Sequence, residues 1–183
     1  GRSKVIARSI DFNKATFRPI ELTGTQPAPK YAFKGAATLV DGMSGNDNYA
    51  TGDWLGFIDG DMTAVIDLGS PTGNATAGNT AGLPEIKRVA THAVVDMSAW
   101  IAGCTGLTVS VSDDNKSFRE VASKDFPAET DSRKKAVESY GITFEPVKAR
   151  YVKVLIKRTP ALPKGHPGEG KIPFLFIDEI VVE

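Results

Sequence analysis

Between Gly35 and Ile86 the chain carries seven acidic residues and neither Lys nor Arg. Five of them, Asp41, Asp47, Asp53, Asp59 and Asp61, are interleaved with Gly42, Gly45, Gly52, Gly56 and Gly60 and with Tyr49, Trp54 and Phe57. Several carboxylates on a Gly-rich loop suit a hard cation, because Ca²⁺ takes about six to eight oxygens in a flexible cage. The spacing does not fit an EF-hand. The neighbouring rings offer a stacking surface. Catalysis is harder to assemble from two histidines, one cysteine and no G-x-S-x-G elbow. Glycoside hydrolysis would need two close carboxylates across an open cleft. Here the aspartates crowd one loop, where cation binding or turn formation accounts for them. The pattern points to a binding module more than to an enzyme.

Two tryptophans can hold a saccharide, since a Trp face stacks on the apolar side of a pyranose and its N–H donates at the edge. Trp54 follows Gly52-Asp53 and Trp100 follows Ser98-Ala99, so both adjoin loops. Each can equally be a core residue. His166 lies in a Pro/Gly-rich stretch, where an exposed imidazole could donate to a sugar hydroxyl or equally be a surface residue without a function. His92 falls within a predicted strand and reads as structural. Lys164 and Lys171 read as solvated charges. Cys104, the only cysteine, excludes an internal disulfide and reads as a small core residue.

The elements that must position these groups are strands. Leu107, Val109 and Val111 alternate with polar residues, as do Met62, Ala64, Ile66 and Leu68, then Tyr140, Ile142 and Phe144, then Val152, Val154 and Ile156. Ile86 to Val95 and Phe174 to Val182 are further strands. Asp113-Asp114-Asn115-Lys116 is a tight-turn signal, and Gly69-Ser70-Pro71-Thr72-Gly73 stops the strand before it. Thr72 to Gly82 reads as a long surface loop. Thr159 to Pro173, with four prolines and three glycines, cannot be a regular element. Ser132 to Ser139 would make a helical turn at most. Many short strands and no long 3.6-period stripe predict an all-β sandwich with jelly-roll topology and about eight core strands.

The 183 residues fit one domain. Residues 1–35 read as an extended lead-in arm whose Phe12, Phe17 and Ile20 pack on the sandwich, and residues 36–183 as the domain. Net charge is zero, which argues against a nucleic-acid partner, and no apolar run approaches the ~20 residues of a membrane span. Gly1-Arg2-Ser3 does not read as a natural start, so the expected context is a longer protein. Asn74-Ala75-Thr76 and Asn115-Lys116-Ser117 match the glycosylation pattern.

Four segments, in order, resemble a known family. They are Thr38-Leu39-Val40-Asp41-Gly42 with Trp54-Leu55-Gly56-Phe57 and Ala64-Val65-Ile66-Asp67-Leu68-Gly69; Val109 to Phe118; Ala149-Arg150-Tyr151-Val152-Lys153-Val154; and Phe176 to Val182. Together they are similar to the discoidin, or coagulation-factor type C, family, which includes family 32 carbohydrate-binding modules. Asp96 to Trp100 and His166-Pro167-Gly168 resemble motifs of modules appended to bacterial β-hexosaminidase-like glycosidases. The lack of a terminal disulfide disfavours the membrane-binding branch.

The resemblance implies a discoidin-like β-sandwich with a structural calcium ion held by Asp41 and Glu179, and Thr38 and Asp47 are placed to add oxygens. It implies a saccharide site drawn from Trp100, His166, Trp54 and Asp96. The expected function is non-catalytic binding of a glycan or terminal monosaccharide on behalf of a parent glycosidase in the same chain. That would place the protein outside a bacterial cell, in the periplasm or at the cell surface. The alternative is a structural or protein-contact domain packed on its parent enzyme, marked by an apolar patch instead of a ring-lined polar pocket.

Overall fold

The computed structural model describes residues 8–69 and 82–183. Its strands are β1 (Ile20–Leu22), β2 (Leu55–Phe57), β3 (Met62–Asp67), β4 (Glu85–Asp96), β5 (Cys104–Ser112), β6 (Arg119–Asp125), β7 (Lys135–Lys148), β8 (Tyr151–Arg158) and β9 (Leu175–Val182). They form a five-stranded sheet, β1-β3-β8-β5-β6, and a four-stranded sheet, β2-β9-β4-β7. All pairings are antiparallel. Alternation builds the core directly. Leu107, Val109 and Val111 of β5 face inward beside Val152, Val154 and Ile156 of β8 and Met62, Ala64 and Ile66 of β3. Ile86, Val89 and Ala93 of β4 and Ile177, Ile180 and Val182 of β9 close the other side. Cys104 is part of this core, and burial pushes its thiol up to about 11.

The four-stranded sheet is covered on its outer face as well. Val94 points away from Ala93 and joins Trp54, Ile101 and Phe176 in a second buried cluster, with Tyr31, Tyr49 and Phe174 packed against it. Residues 43–54 therefore lie over this sheet and do not hang free. No described helix is long and apolar enough to cross a membrane.

Several expectations change. Residues 135–139 are strand, because β7 pairs with β4 from Asp96↔Lys135 onward, and the charged outward positions of an exposed edge strand masked its alternation. The lead-in arm supplies Ile20–Leu22 as an edge strand on β3, with Ala15 buried, while Phe12 and Phe17 are exposed at 75% and 61%. Asn13 ties this arm down, its Oδ1 accepting from the Ala15 and Val182 N–H groups. The expected loop from Thr72 and the Asn74 sequon lie outside the described residues. Asn115 sits in the β5–β6 turn at φ 59°.

Register decides which loops meet. The pairings Asp96↔Lys135, Gly106↔Asp125 and Cys104↔Arg158 bring the β4–β5, β6–β7 and β8–β9 connections to one end of the sandwich. Ile101 and Phe174 form an isolated bridge there.

Candidate functional site

Trp100 stands at that end. Met97–Ala99 makes one 3₁₀ turn, and Trp100 follows in the left-handed region at φ 60°, ψ 40°. A bulky residue there is uncommon, because its Cβ crowds the backbone. Surrounding bonds hold it. The Trp100 N–H donates to Met97 O at 3.1 Å, the Asp96 and Ile101 peptides exchange bonds of 2.9 and 3.0 Å, and the Phe174 N–H donates to Trp100 O at 2.9 Å. This turn directs the indole outward, 41% exposed.

Met97 links all three loops. Its N–H donates to Lys134 O at 3.0 Å, and its carbonyl accepts from Trp100 N–H and from His166 Nε2 at 2.7 Å. His166 Nδ1 accepts the Gly168 N–H at 2.9 Å, which puts the ring proton on Nε2. Both nitrogens are thus consumed. His166 is 4% exposed and meets the Trp100 indole edge-on at 6.1 Å. Preorganisation of this kind lowers the ordering cost of binding.

Between these loops lies a concave site of about 430 Å³, walled by Trp100, Ser98, Ser132, Arg133 and the Gly165–Pro167 turn. That volume lies within the ~300–1,000 Å³ of small-ligand sites. Among the described residues, the Ser98 and Ser132 hydroxyls make no internal hydrogen bond, leaving them free for a ligand.

The predicted saccharide residues separate in this geometry. Trp100 fits a stacking platform. His166 lies in the wall but is a brace, not a hydroxyl donor, because burial and two internal bonds use up its polar atoms. Trp54 is fully buried, and its Nε1–H donates to Asn46 O at 3.0 Å, so it has no face for a sugar. Its role is to anchor the acidic loop. A Cβ on Gly45 would meet the Trp54 ring at 2.3 Å, which is why a glycine stands there. Asp96 frames the Trp100 turn through its main chain and does not line the concavity.

The predicted cation residues meet elsewhere, where residues 34–43 cross β9. A register shift lets Asp178 and Glu179 both oppose His92, since Thr91 pairs with Ile180 and Ala93 with Ile177. Such a bulge re-aims side chains. Asp178, fully buried, accepts from Gly45 N–H at 2.9 Å, from its neighbour's N–H at 2.6 Å, and faces His92 Nδ1 at 3.1 Å. Glu179, 2% exposed, lies against Asp41, 7% exposed. The Met43 N–H reaches both carboxylates, at 2.9 Å to Asp41 Oδ1 and 3.2 Å to Glu179 Oε1, and Lys34 Nζ approaches Asp41 Oδ2 at 3.0 Å.

Burial, followed by the adjoining Asp41 carboxylate, pushes Glu179 up to about 10. Burial also works to raise Asp41, but the adjoining Glu179 carboxyl, the Met43 N–H and Lys34 outweigh it and leave Asp41 below its ordinary value. Thr38 Oγ1 and Glu179 Oε2 are buried without a protein partner. The Asp41 and Glu179 carboxylates and the unpartnered Thr38 hydroxyl, which the short 3₁₀ turn before Asp41 carries, are oxygen donors of the kind a hard cation takes. Asp47 does not join them. It is exposed, and no cluster of three or more acidic, His or Cys side chains suited to a metal exists among the described residues.

Sequence reasoning missed Arg133, Met97 and Asp178. Arg133 was hidden because its loop was read as part of a helical turn. Met97 acts through its peptide groups, which no side-chain pattern reveals. Asp178 was visible in the Asp-Glu pair of the last strand.

No protein-family model and no curated protein matches the chain. Solved structures do. Chitosan-binding module 1 of a chitosanase/glucanase from Paenibacillus sp. IK-5 is 17% identical, over 94% of this chain and 99% of that one, with TM-score 0.53. CBM32-3 of a family 31 glycoside hydrolase from Clostridium perfringens is 13% identical, over 93% and 92%, with TM-score 0.53. A Clostridium perfringens module, CpGH89CBM32-5, in complex with GalNAc-β-1,3-galactose, is 18% identical, over 89% and 94%, with TM-score 0.50. At such identities the likeness establishes the fold, the all-β discoidin-like sandwich of carbohydrate-binding modules.

Proposed function

We propose that this chain is a non-catalytic carbohydrate-binding module serving a glycosidase, extracellular or periplasmic in a bacterium. The observation that carries the reading is the outward-turned Trp100 over a concave site with two free hydroxyls. Solved modules of the same fold come from glycoside hydrolases, and one is bound to a disaccharide. Among the described residues the walls of the concavity carry hydroxyls, an indole and a guanidinium, groups suited to holding a ligand. A shallow site of this size fits micromolar to millimolar affinity, about −4 to −8 kcal/mol. The test is a glycan array followed by titration with galactose and N-acetylglucosamine, repeated with Trp100→Ala. Loss of binding in the variant supports the reading. Absence of binding to every glycan refutes it.

Calcium is part of the proposal, in a structural role. Asp41, Glu179 and Thr38 would hold it, with remaining oxygens from main-chain carbonyls and water. The ion would neutralise the two facing carboxylates and tie β9 to residues 34–43. Lys34, whose side chain is 58% exposed, is free to swing off Asp41.

A second reading, a protein-contact domain on a parent enzyme, has one observation in its favour. Phe12 and Phe17 pack edge-to-face at 5.9 Å while both remain exposed. Retained glycan binding after Phe12→Ser with Phe17→Ser would separate the two surfaces.

A further inference from the structure

We infer that the Trp100 concavity selects saccharides bearing a carboxylate, with the Arg133 guanidinium as the group that recognises it. The inference rests on the carbohydrate-binding reading above and names the ligand class of that same site. Among the described residues, Arg133 is the one formally charged side chain in the wall. It is exposed and makes no ion pair or side-chain hydrogen bond among the described residues; Arg8, Arg88 and Arg150 pair with Asp53, Glu183 and Asp67, while Arg18, Arg119 and Arg158 are likewise without an ion pair there.

Its main chain is fixed. The Arg133 N–H donates to Asp131 Oδ1 at 2.9 Å, and the next residue's carbonyl is bonded to Met97 N–H, one turn from Trp100. The nearby acids are engaged. Asp131 is occupied by that backbone bond, Glu138 pairs with Lys134 at 3.3 Å, and Glu169 accepts from Gly165 N–H at 3.4 Å. Arg133 and the indole thus line the same concavity, and no guanidinium donor is used by a protein group among the described residues.

A planar fork matches a carboxylate through two parallel bonds, which a neutral hydroxymethyl cannot offer. A uronic acid presents that carboxylate on the ring carbon beside an apolar C–H face. The indole would carry the face and Arg133 the carboxylate, while Ser98 and Ser132 meet ring hydroxyls.

The experiment titrates the full chain by calorimetry with galacturonate against galactose and with glucuronate against glucose. Each pair differs only in the oxidation of C6. The acid is expected to bind roughly 2–10-fold more tightly, the range of an exposed, charge-assisted pair. That preference should shrink at high salt. Arg133→Ala should bring acid and neutral sugar to the same affinity, and Arg133→Lys should keep part of the difference. Equal affinities in the unmodified protein overturn the inference while the carbohydrate reading stands, as does a preference for the acid that survives Arg133→Ala. Absence of binding to acid and neutral sugars alike refutes both.

Discussion

Gly168 lies beneath the Trp100 indole, and its replacement by alanine tests the platform without touching it. A Cβ there would stand 2.7 Å from Trp100 Cζ2, 2.8 Å from Cε2 and 2.9 Å from Leu162 Cδ1. Carbon atoms rest about 3.5–4.0 Å apart, so something must retreat by roughly 1 Å. Leu162 is 2% exposed and hemmed in, whereas the indole is 41% exposed and free on one side. The ring gives way. Overpacking costs about 1–3 kcal/mol in a closed core, and the open face should keep the loss near the lower figure. The moved ring forfeits an aromatic stacking contact of about 0.5–1.5 kcal/mol, which is about 2–13-fold in dissociation constant. Calorimetry with a sugar that binds the unmodified protein reads the affinity. Iodide quenching of tryptophan fluorescence reads the ring, because Trp54 is fully buried and only Trp100 is open to quencher. A variant with unchanged quenching and unchanged affinity would refute the argument that Trp100 rests on Gly168.

Trp54→Ala should destabilise the fold by about 3–5 kcal/mol, read as a lower urea midpoint, because it empties the centre of the outer cluster and frees the acidic loop. A shift below 1 kcal/mol would contradict its burial. The His92–Asp178 pair gives stability a pH dependence: the hydrogen bond to Asp178 lifts His92 above 6.5 against the opposing effect of burial, with Coulombic attraction adding to the lift. Its contribution is therefore complete below 6.5 and fades as pH rises through the elevated folded value. Urea midpoints should fall across that window, and His92→Gln should reduce the slope without abolishing it, because the raised Glu179 carboxyl makes stability fall with pH over the same range. If calcium binds at Asp41 and Glu179, calcium at a hundredfold excess over its dissociation constant should stabilise by about 2.7 kcal/mol. For a chain of this length that raises Tm by roughly 5–11 °C, and a chelator or Glu179→Ala should remove the gain. An unmoved Tm would eliminate the ion.

The sandwich was legible in the sequence because strand alternation is a local property. Leu107-Val109-Val111 and Val152-Val154-Ile156 each announce an inward face without knowing their partner, and turn residues such as Asp114 mark where each run stops. The Asp41–Glu179 pairing was legible only through resemblance, as 138 positions of chain separate the two residues in the sequence.

What the residues could not settle was which of two similar side chains faces water. Trp54 and Trp100 both follow small residues in a loop, yet one is sealed under the acidic loop and the other is turned out by a left-handed backbone. His166 looked exposed in its Pro/Gly-rich stretch, and the loop's own fold buried it. Arg133 became a neighbour of Trp100 only through the register of β4 on β7 and the bonds at Met97. Local pattern determines strands, because each face is written every second residue. Loop placement depends on long-range pairing and on peptide groups that every residue shares, so only the tertiary structure decided the site.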